Sequence, residues 1–106
     1  MITIDDFKKV ELRTAKVLQV DAHPNADRLW VLQLEVGAER RQIVAGIRAH
    51  YTAEQLLGKT IVMVANLEPA MLRGVESQGM LLAVRDGDKV VALTTDQPVN
   101  TGLQVS

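Results

Sequence analysis

Three groups of residues have types and spacings that suggest catalysis. The stretch Gly58-Lys59-Thr60 matches the end of a phosphate-binding loop, but that loop needs a glycine five positions earlier, where Ala53 stands. Ser77 lies in the run Val-Glu-Ser-Gln-Gly, whereas a hydrolase nucleophile elbow needs glycine two residues before the serine. His23 and His50 are the only histidine bases, and nothing in the sequence brings either one to Ser77. We therefore expect that the domain is not an enzyme.

The composition also argues against metal, redox and membrane functions. The chain has no cysteine, and its two histidines have no carboxylate at metal-ligand spacing, so we expect no metal and no cofactor. The longest apolar runs without a charge, Thr60–Leu67 and Ser77–Val84, are far below the ~20 residues of a membrane span. The start MITIDDFKKV has acids where a secretory signal needs bases. We expect a cytoplasmic protein that has no membrane partner.

A second set of residues is suited to binding rather than to catalysis. Three polar segments, His23–Leu29, Asn66–Pro69 and Leu72–Met80, lie between the apolar runs. Their side chains offer hydrogen bonds to sugars, phosphates and base edges, and one methionine offers a soft apolar contact: Asn25, Arg28, Arg73, Ser77, Gln78 and Met80. Each residue alone also fits ordinary turn chemistry or a solvated charge, so it is their combination that favours a binding surface.

The charge distribution narrows the class of nucleic acid. The net charge of −1 argues against a binder that holds any nucleic acid by charge alone. Residues 37–60 carry four basic and two acidic side chains, and Arg40 and Arg41 of this weakly basic centre are added to the candidates. Phe7, Trp30 and Tyr51 are the only aromatic residues, too few for a broad platform on which single-stranded bases stack.

Short apolar runs predict the elements that must position these residues. In the run Trp30–Val36 every second residue is apolar and lies on one face of the strand. In Val10–Val20 the apolar positions change parity twice, as in a coiled strand with bulges. The Asp-Gly-Asp turn at residues 86–88 predicts a hairpin. The predicted strands are Val10–Val20, Trp30–Val36, Arg41–Ala45, Thr60–Asn66, Met80–Val84 and Lys89–Leu93, with an edge strand near Leu103–Val105.

Helices are predicted at two places. Thr52 and Gln55 have the spacing of a capping box, so a short helix should begin there and end before Gly58. Asp5 or Asp6 is predicted to cap one helical turn near the N-terminus. Three strands, a short helix and further strands match an all-β OB-fold. This is a five-stranded Greek-key barrel with a helix between strands 3 and 4 and small terminal extensions, in one domain over residues 1–106.

Four motifs, in this order and spacing, carry a family resemblance: HPNADRL, RQIVAG, VANLEP and LRGVESQGMLLA. They resemble the tRNA-binding domain appended to bacterial methionyl-tRNA synthetase, which also occurs as free-standing bacterial tRNA-binding proteins. The resemblance runs from about Ile4 to Val105. It implies an OB-fold, homodimerisation and recognition of tRNA by shape, with no chemistry by the domain. By position it assigns RNA contacts to Asn25, Arg28, Arg73, Ser77, Gln78 and Met80.

The sequence departs from the family pattern near the implied RNA surface. Glu68 stands where lysine is frequent, and Ala70-Met71 replaces a more basic stretch, so we expect weak binding that doubling or tethering strengthens. Two forms fit the resemblance: a free-standing protein, and the C-terminal domain of a synthetase with the catalytic part as a partner. A dimer interface is predicted around Phe7 and Pro98–Val105.

One alternative function comes from a related branch of the same barrel. Secretion chaperones in that branch are dimers that bind unfolded polypeptide in an apolar groove rather than RNA. The HPNAD and ESQGM motifs favour the tRNA branch. An exposed apolar patch around Met71, Leu72 and Met80 would favour the chaperone branch instead.

Overall fold

The computed structural model describes all residues, Met1–Ser106, and most of its regular structure is strand. Two short helices accompany ten strands. In chain order the elements are α1 (Ile4–Lys8), β1 (Leu12–Ala22), β2 (Trp30–Val36), β3 (Glu39–Ala45), α2 (Ala53–Leu56), β4 (Thr60–Val64), β5 (Ala70–Leu72), β6 (Val75–Ser77), β7 (Met80–Leu81), β8 (Ala83–Asp86), β9 (Lys89–Ala92) and β10 (Gln104–Val105). No helix is long and apolar enough to span a membrane.

The main sheet is a curled antiparallel sheet with the strand order β3-β2-β1-β4-β7, and β10 also pairs with β1. The register of β1 against β2 shifts between Val17 and Gln19, which is the bulge that the changing parity predicts. The open side is closed by a backbone hydrogen bond of 2.7 Å, in which the N–H of Gln78 donates to the carbonyl oxygen of Gln42. The predicted all-β OB-fold is confirmed.

The core lies inside this curled sheet, and the clean alternation of β2 supplies much of it. Leu32 and Leu34 are fully buried, and they pack with Ile43 of β3, Ile61 and Met63 of β4. Leu56 of α2 belongs to the same cluster, so the helix covers one end of the barrel. Burying a side chain of this size contributes about 1.5–3 kcal/mol. The barrel is thus a stable support for the polar loops at its ends.

The predicted helices are both present, with one correction. Thr52 caps α2, and the predicted capping box with Gln55 is confirmed. The predicted cap of α1 is wrong: Thr3, not Asp5 or Asp6, accepts the hydrogen bond from the first turn. Asp6 instead occupies the third helical position, and its Oδ2 accepts a hydrogen bond from the N–H of Thr3. The two residues, three positions apart, thus form a capping box.

The segment between β4 and the last strands differs most from the prediction. The expected loop at residues 72–80 contains a hairpin of β5 and β6, in which Leu72 pairs with Val75. The expected single strand Met80–Val84 is divided at Leu82 into β7, which pairs with β4, and β8, which pairs with β9. The hairpin around Gly87 and the edge strand near the C-terminus are confirmed.

Candidate functional site

The β1–β2 loop and the tip of the β5–β6 hairpin meet at one end of the barrel and form a polar cleft. This arginine cleft has a volume of about 450 Å³ and is lined by Asn25, Ala26, Asp27, Arg28, Leu29 and Arg73. Both arginines are exposed. The three ion pairs of the molecule, Lys9–Asp6, Arg13–Glu11 and Arg41–Glu39, use neither of them. The cleft thus holds two guanidinium groups that no carboxylate pairs, beside the single carboxylate of Asp27.

Arg73 reaches the cleft because it occupies an unusual turn position. Arg73 and Gly74 join β5 to β6, and their φ angles are +53° and +90°. A two-residue hairpin turn with both φ angles positive normally takes Asn-Gly or Asp-Gly. A residue with a Cβ pays about 1–2 kcal/mol for the left-handed conformation. Backbone strain of this kind is concentrated at functional sites, so the arginine is a candidate for ligand contact.

His23 links the two sides of the cleft, a role that its sequence context does not predict. Its side chain is buried, with 4% exposed. Nε2 lies 2.8 Å from the carbonyl oxygen of Leu72, and Nδ1 accepts a hydrogen bond of 2.9 Å from the N–H of Asn25. Asn25 adds a second link, since its Nδ2 donates to the carbonyl oxygen of Arg73 at 3.3 Å.

Two predicted site residues, Ser77 and Gln78, hold the hairpin against β3. Ser77 is buried, and its Oγ accepts from the N–H of Val44 at 2.9 Å and donates to the carbonyl oxygen of Gly79 at 3.0 Å. Oε1 of Gln78 accepts from the N–H of Gln42 at 3.0 Å. The hydroxyl of Ser77 and the amide oxygen of Gln78 therefore have partners inside the protein. Both side chains thus hold the hairpin that carries Arg73, and neither lines the arginine cleft.

Arg41 has a similar internal role, whereas Arg40 and Met80 are exposed at other places. Nη1 of Arg41 donates to the carbonyl oxygens of Ala65 and Gln78 at 2.7 and 3.2 Å. Arg40 is opposite Glu35, toward the end of the β2–β3 pair remote from the cleft. The structure thus brings Asn25, Arg28 and Arg73 together and leaves the other five candidates outside the cleft.

Met80 lines a separate depression, in the region of the apolar patch considered around Met71, Leu72 and Met80. This apolar groove has a volume of about 200 Å³, and it is lined by Val44, Leu67, Glu68, Ala70, Leu72, Ser77, Gly79 and Met80. Met80 and Met71 are 49% and 66% exposed. The exposed apolar patch that would favour a peptide ligand is therefore present.

The first residue of the polar segment Asn66–Pro69 does not lie at the arginine cleft. The Oδ1 atom of Asn66 accepts from the N–H of Glu11, and its Nδ2 donates to the carbonyl oxygen of Lys9. The reason is the antiparallel pairing of β4 with β1, which brings the end of β4 to the start of β1, at Leu12. Asn66 fixes the N-terminal segment instead. No group of three or more His, Cys, Asp or Glu side chains is arranged to hold a metal ion.

The sequence was compared with protein-family models and with curated proteins. Residues 12–104 match the family model described as "Putative tRNA binding domain". The methionine–tRNA ligase of Thermotoga maritima is 56% identical over 105 residues, which cover 99% of this chain and 17% of that protein. The chain therefore spans about one sixth of the length of this relative.

Among solved structures, the same fold occurs in a protein described as related to methionyl-tRNA synthetase and in a protein described as a chaperone. A methionyl-tRNA synthetase-related protein from Pyrococcus horikoshii has a TM-score of 0.94 and 33% identity, and the match covers 100% of this chain and 98% of that one. The CsaA chaperone protein from Picrophilus torridus has a TM-score of 0.92 and 27% identity over the whole of both chains.

Proposed function

Because the chain belongs to the tRNA-binding domain family, we propose that it binds tRNA and that the arginine cleft is its main contact. The observation that carries this proposal is the pair of exposed, unpaired guanidinium groups of Arg28 and Arg73 in one cleft. Guanidinium groups donate paired hydrogen bonds to phosphate oxygens, and the amide of Asn25 offers a donor and an acceptor to ribose hydroxyls. The domain needs no catalytic group for this role.

The small number of charges sets the mode of recognition. Two to four phosphate contacts give weak binding that falls steeply with salt, because each contact releases counterions from the nucleic acid. The A-form body of tRNA presents phosphates and 2′-hydroxyl groups in a fixed arrangement. A cleft with two arginines and no aromatic side chain is therefore suited to select a folded RNA by its shape rather than by its sequence.

The remaining candidate residues take two roles in the proposal. Arg40 and Met80 are exposed and supply outlying contacts with the RNA backbone and with a sugar or base face. Arg41, Ser77 and Gln78 keep the β5–β6 hairpin in position through their internal hydrogen bonds.

The assembly is a further part of the proposal. The N-terminal segment and the C-terminal tail, which β10 joins to the start of β1, expose the apolar side chains of Ile4, Val10, Val99 and Leu103. We expect two chains to associate through them, which gives two clefts for one RNA and raises the avidity. The domain then acts in the cytoplasm, either alone or joined to the catalytic part of methionyl-tRNA synthetase.

A titration at low salt tests the function. Deacylated total tRNA and an unstructured RNA of equal length are titrated into the protein across a series of salt concentrations. We expect preferential binding of tRNA, and the Arg28→Ala and Arg73→Ala variants should each reduce the salt slope by about one unit. Equal binding of both RNAs, or variants that bind as the wild type does, would contradict the proposal. Light scattering of the free protein tests the dimer.

Binding of unfolded polypeptide is a second candidate, favoured by one observation. The apolar groove offers an exposed Met80 and a half-exposed Leu72 beside the hairpin, and a chaperone of the same fold matches the whole chain. Methionine adapts its shape to varied apolar ligands. A Leu67→Asn variant separates the candidates, because Leu67 lines the groove and lies outside the arginine cleft: it should abolish capture of a reduced, unfolded test protein and change tRNA affinity by less than about threefold. A variant that still captures the test protein would exclude the groove.

A further inference from the structure

We propose that His23 is the positioning residue of the arginine cleft and that tRNA affinity depends on the bridge it makes between the β1–β2 loop and the β5–β6 hairpin. The inference rests on the proposed function. It assigns to a buried imidazole the task of holding together the two backbone segments that carry Arg28 and Arg73. The imidazole itself touches no RNA, since only 4% of its surface is exposed.

The hydrogen bonds define the chemical state of the imidazole. Because Nδ1 accepts from the N–H of Asn25, it carries no proton, and the ring is neutral. Nε2 therefore bears the proton and donates it to the carbonyl oxygen of Leu72 at 2.8 Å. Both ring nitrogens are satisfied, so the buried ring has one defined orientation. A neutral imidazole provides one donor and one acceptor on opposite sides, as a bridge between two segments requires.

The bridge joins the loop and the hairpin close to the two residues that carry the guanidinium groups. Leu72 directly precedes Arg73, and Asn25 is three residues before Arg28. Only two hydrogen bonds join this loop to this hairpin: His23 to Leu72 and Asn25 to Arg73. The second is exposed and 3.3 Å long, so the buried histidine bond is the stronger of the two links.

The consequence for binding is pre-organisation. The hairpin strands have three residues each, and the loop has no regular structure, so neither segment fixes the cleft alone. Without the bridge, the RNA would have to order both segments at the moment of binding, and that ordering costs affinity. The histidine should thus act through the side chains of the cleft, chiefly Arg28 and Arg73.

A pair of amide substitutions separates the bridge from the local turn. In His23→Asn the short side chain can still accept from the N–H of Asn25, as in an Asx turn, but it does not reach Leu72. In His23→Gln the longer amide can donate to the carbonyl oxygen of Leu72. We expect His23→Asn to bind deacylated tRNA about tenfold more weakly. His23→Gln should remain within about threefold of the wild type, as rescue by the conservative variant.

A second background distinguishes positioning from loss of the fold. When both cleft arginines are already alanine, His23→Asn should weaken tRNA binding by less than about twofold, because the charged side chains that it positions are gone. An equal loss in both backgrounds would overturn the inference, and so would a folded His23→Asn protein that binds as the wild type does. If His23→Asn does not fold, a tenfold loss in His23→Gln would also overturn it.

A readout without RNA keeps the bridge separate from the proposed function. Nitrogen-15 spectra of His23→Asn should show shifted amides at Arg73 and Gly74, across the cleft from the substitution. Absence of any tRNA preference in the wild type would contradict the proposed function and with it the effect on affinity. Unchanged hairpin amides in His23→Asn would overturn the bridge itself, whatever the RNA result.

Discussion

The β5–β6 and β8–β9 hairpins have similar backbones and different surroundings. Each joins two short strands by a two-residue turn that contains a glycine with positive φ. The first is held by side chains that are themselves buried, His23 and Ser77. The second is held by exposed or half-buried groups, since the N–H of Ala92 donates to the hydroxyl of Tyr51. The hairpin that carries the unpaired Arg73 is thus held by the more deeply buried side chains.

The two hairpins also differ in what they expose. The tip of β8–β9 mixes basic and acidic side chains, Arg85, Asp86, Asp88 and Lys89, so its field largely cancels. The tip of β5–β6 presents Arg73 without a carboxylate partner, in a strained conformation. The second hairpin has two basic residues and the first has one, so the number of charges does not favour the first. The proposed interface rests instead on an unpaired charge and on the buried side chains that support its turn.

The largest expected effect removes the two positive charges of the arginine cleft, one of which lies on the first hairpin. Arg28→Ala combined with Arg73→Ala should weaken tRNA binding about 100-fold at low salt, or about 2.7 kcal/mol, because both unpaired guanidinium groups are lost. Arg85→Ala combined with Lys89→Ala removes the same total charge from the second hairpin and should cost less than about twofold. Filter binding of both double variants decides the matter, and equal losses would show that net charge alone governs binding.

A smaller effect is expected on stability when the support of each hairpin is cut. Ser77→Ala leaves the buried N–H of Val44 without a partner and should lower the free energy of unfolding by about 2 kcal/mol. Thr94→Ala removes an exposed bond to the carbonyl oxygen of Thr60 near the second hairpin and should cost less than about 1 kcal/mol. Urea unfolding measures both. An equal loss of unfolding free energy in Thr94→Ala and Ser77→Ala would show that the two hairpins do not differ in the strength of their support.

Tyr51→Phe tests whether the second hairpin has any part in binding. The substitution removes the hydroxyl that accepts from the N–H of Ala92 at 3.0 Å, and it should cost about 1 kcal/mol of stability. We expect unchanged tRNA affinity under conditions in which the variant is folded. Calorimetry and the low-salt titration give the two quantities, and a parallel loss of affinity would extend the binding surface to this side.

The smallest effect has opposite signs for stability and binding. Arg73→Asn should raise the free energy of unfolding by about 0.5 kcal/mol, since asparagine accepts positive φ more readily, while tRNA affinity falls. Gly87→Arg introduces the same strain into the second hairpin and should lower stability by about 1 kcal/mol without a gain in affinity. Thermal melts of the two variants give the signs. A destabilised Arg73→Asn protein would remove the case for functional strain.

Regular elements could be predicted from the sequence because their signals are local. β2 has the predicted bounds, Trp30–Val36, because its alternation is uninterrupted and both ends are marked by turns. The capping box of Thr52 and Gln55 involves residues only three apart. The β5–β6 hairpin was missed because its turn has arginine where asparagine or aspartate is the usual signal. The functional turn thus departs from the rule that would have revealed it.

The site was predicted only in part, because its construction depends on distant residues. The polar types of Asn25, Arg28 and Arg73 were readable, and the structure brings these three together. The roles of His23 and Ser77 were not readable, since their partners lie 49 and 33 positions away in the chain. A polar side chain in a loop has the same pattern whether it faces solvent or bridges two segments.

The pairing of β10 with β1 has a consequence for the order of events during synthesis. Leu12 pairs with Val105, and Thr14 bonds to the backbone of Asn100 and Leu103, so the first strand finds these partners only after some 90 residues have been made. Closing so long a loop is slow compared with forming the β2–β3 hairpin. A nascent chain should therefore expose the edge of β1 on the ribosome until residues 100–105 emerge, which makes that interval the one in which it is open to chaperones and to misassembly.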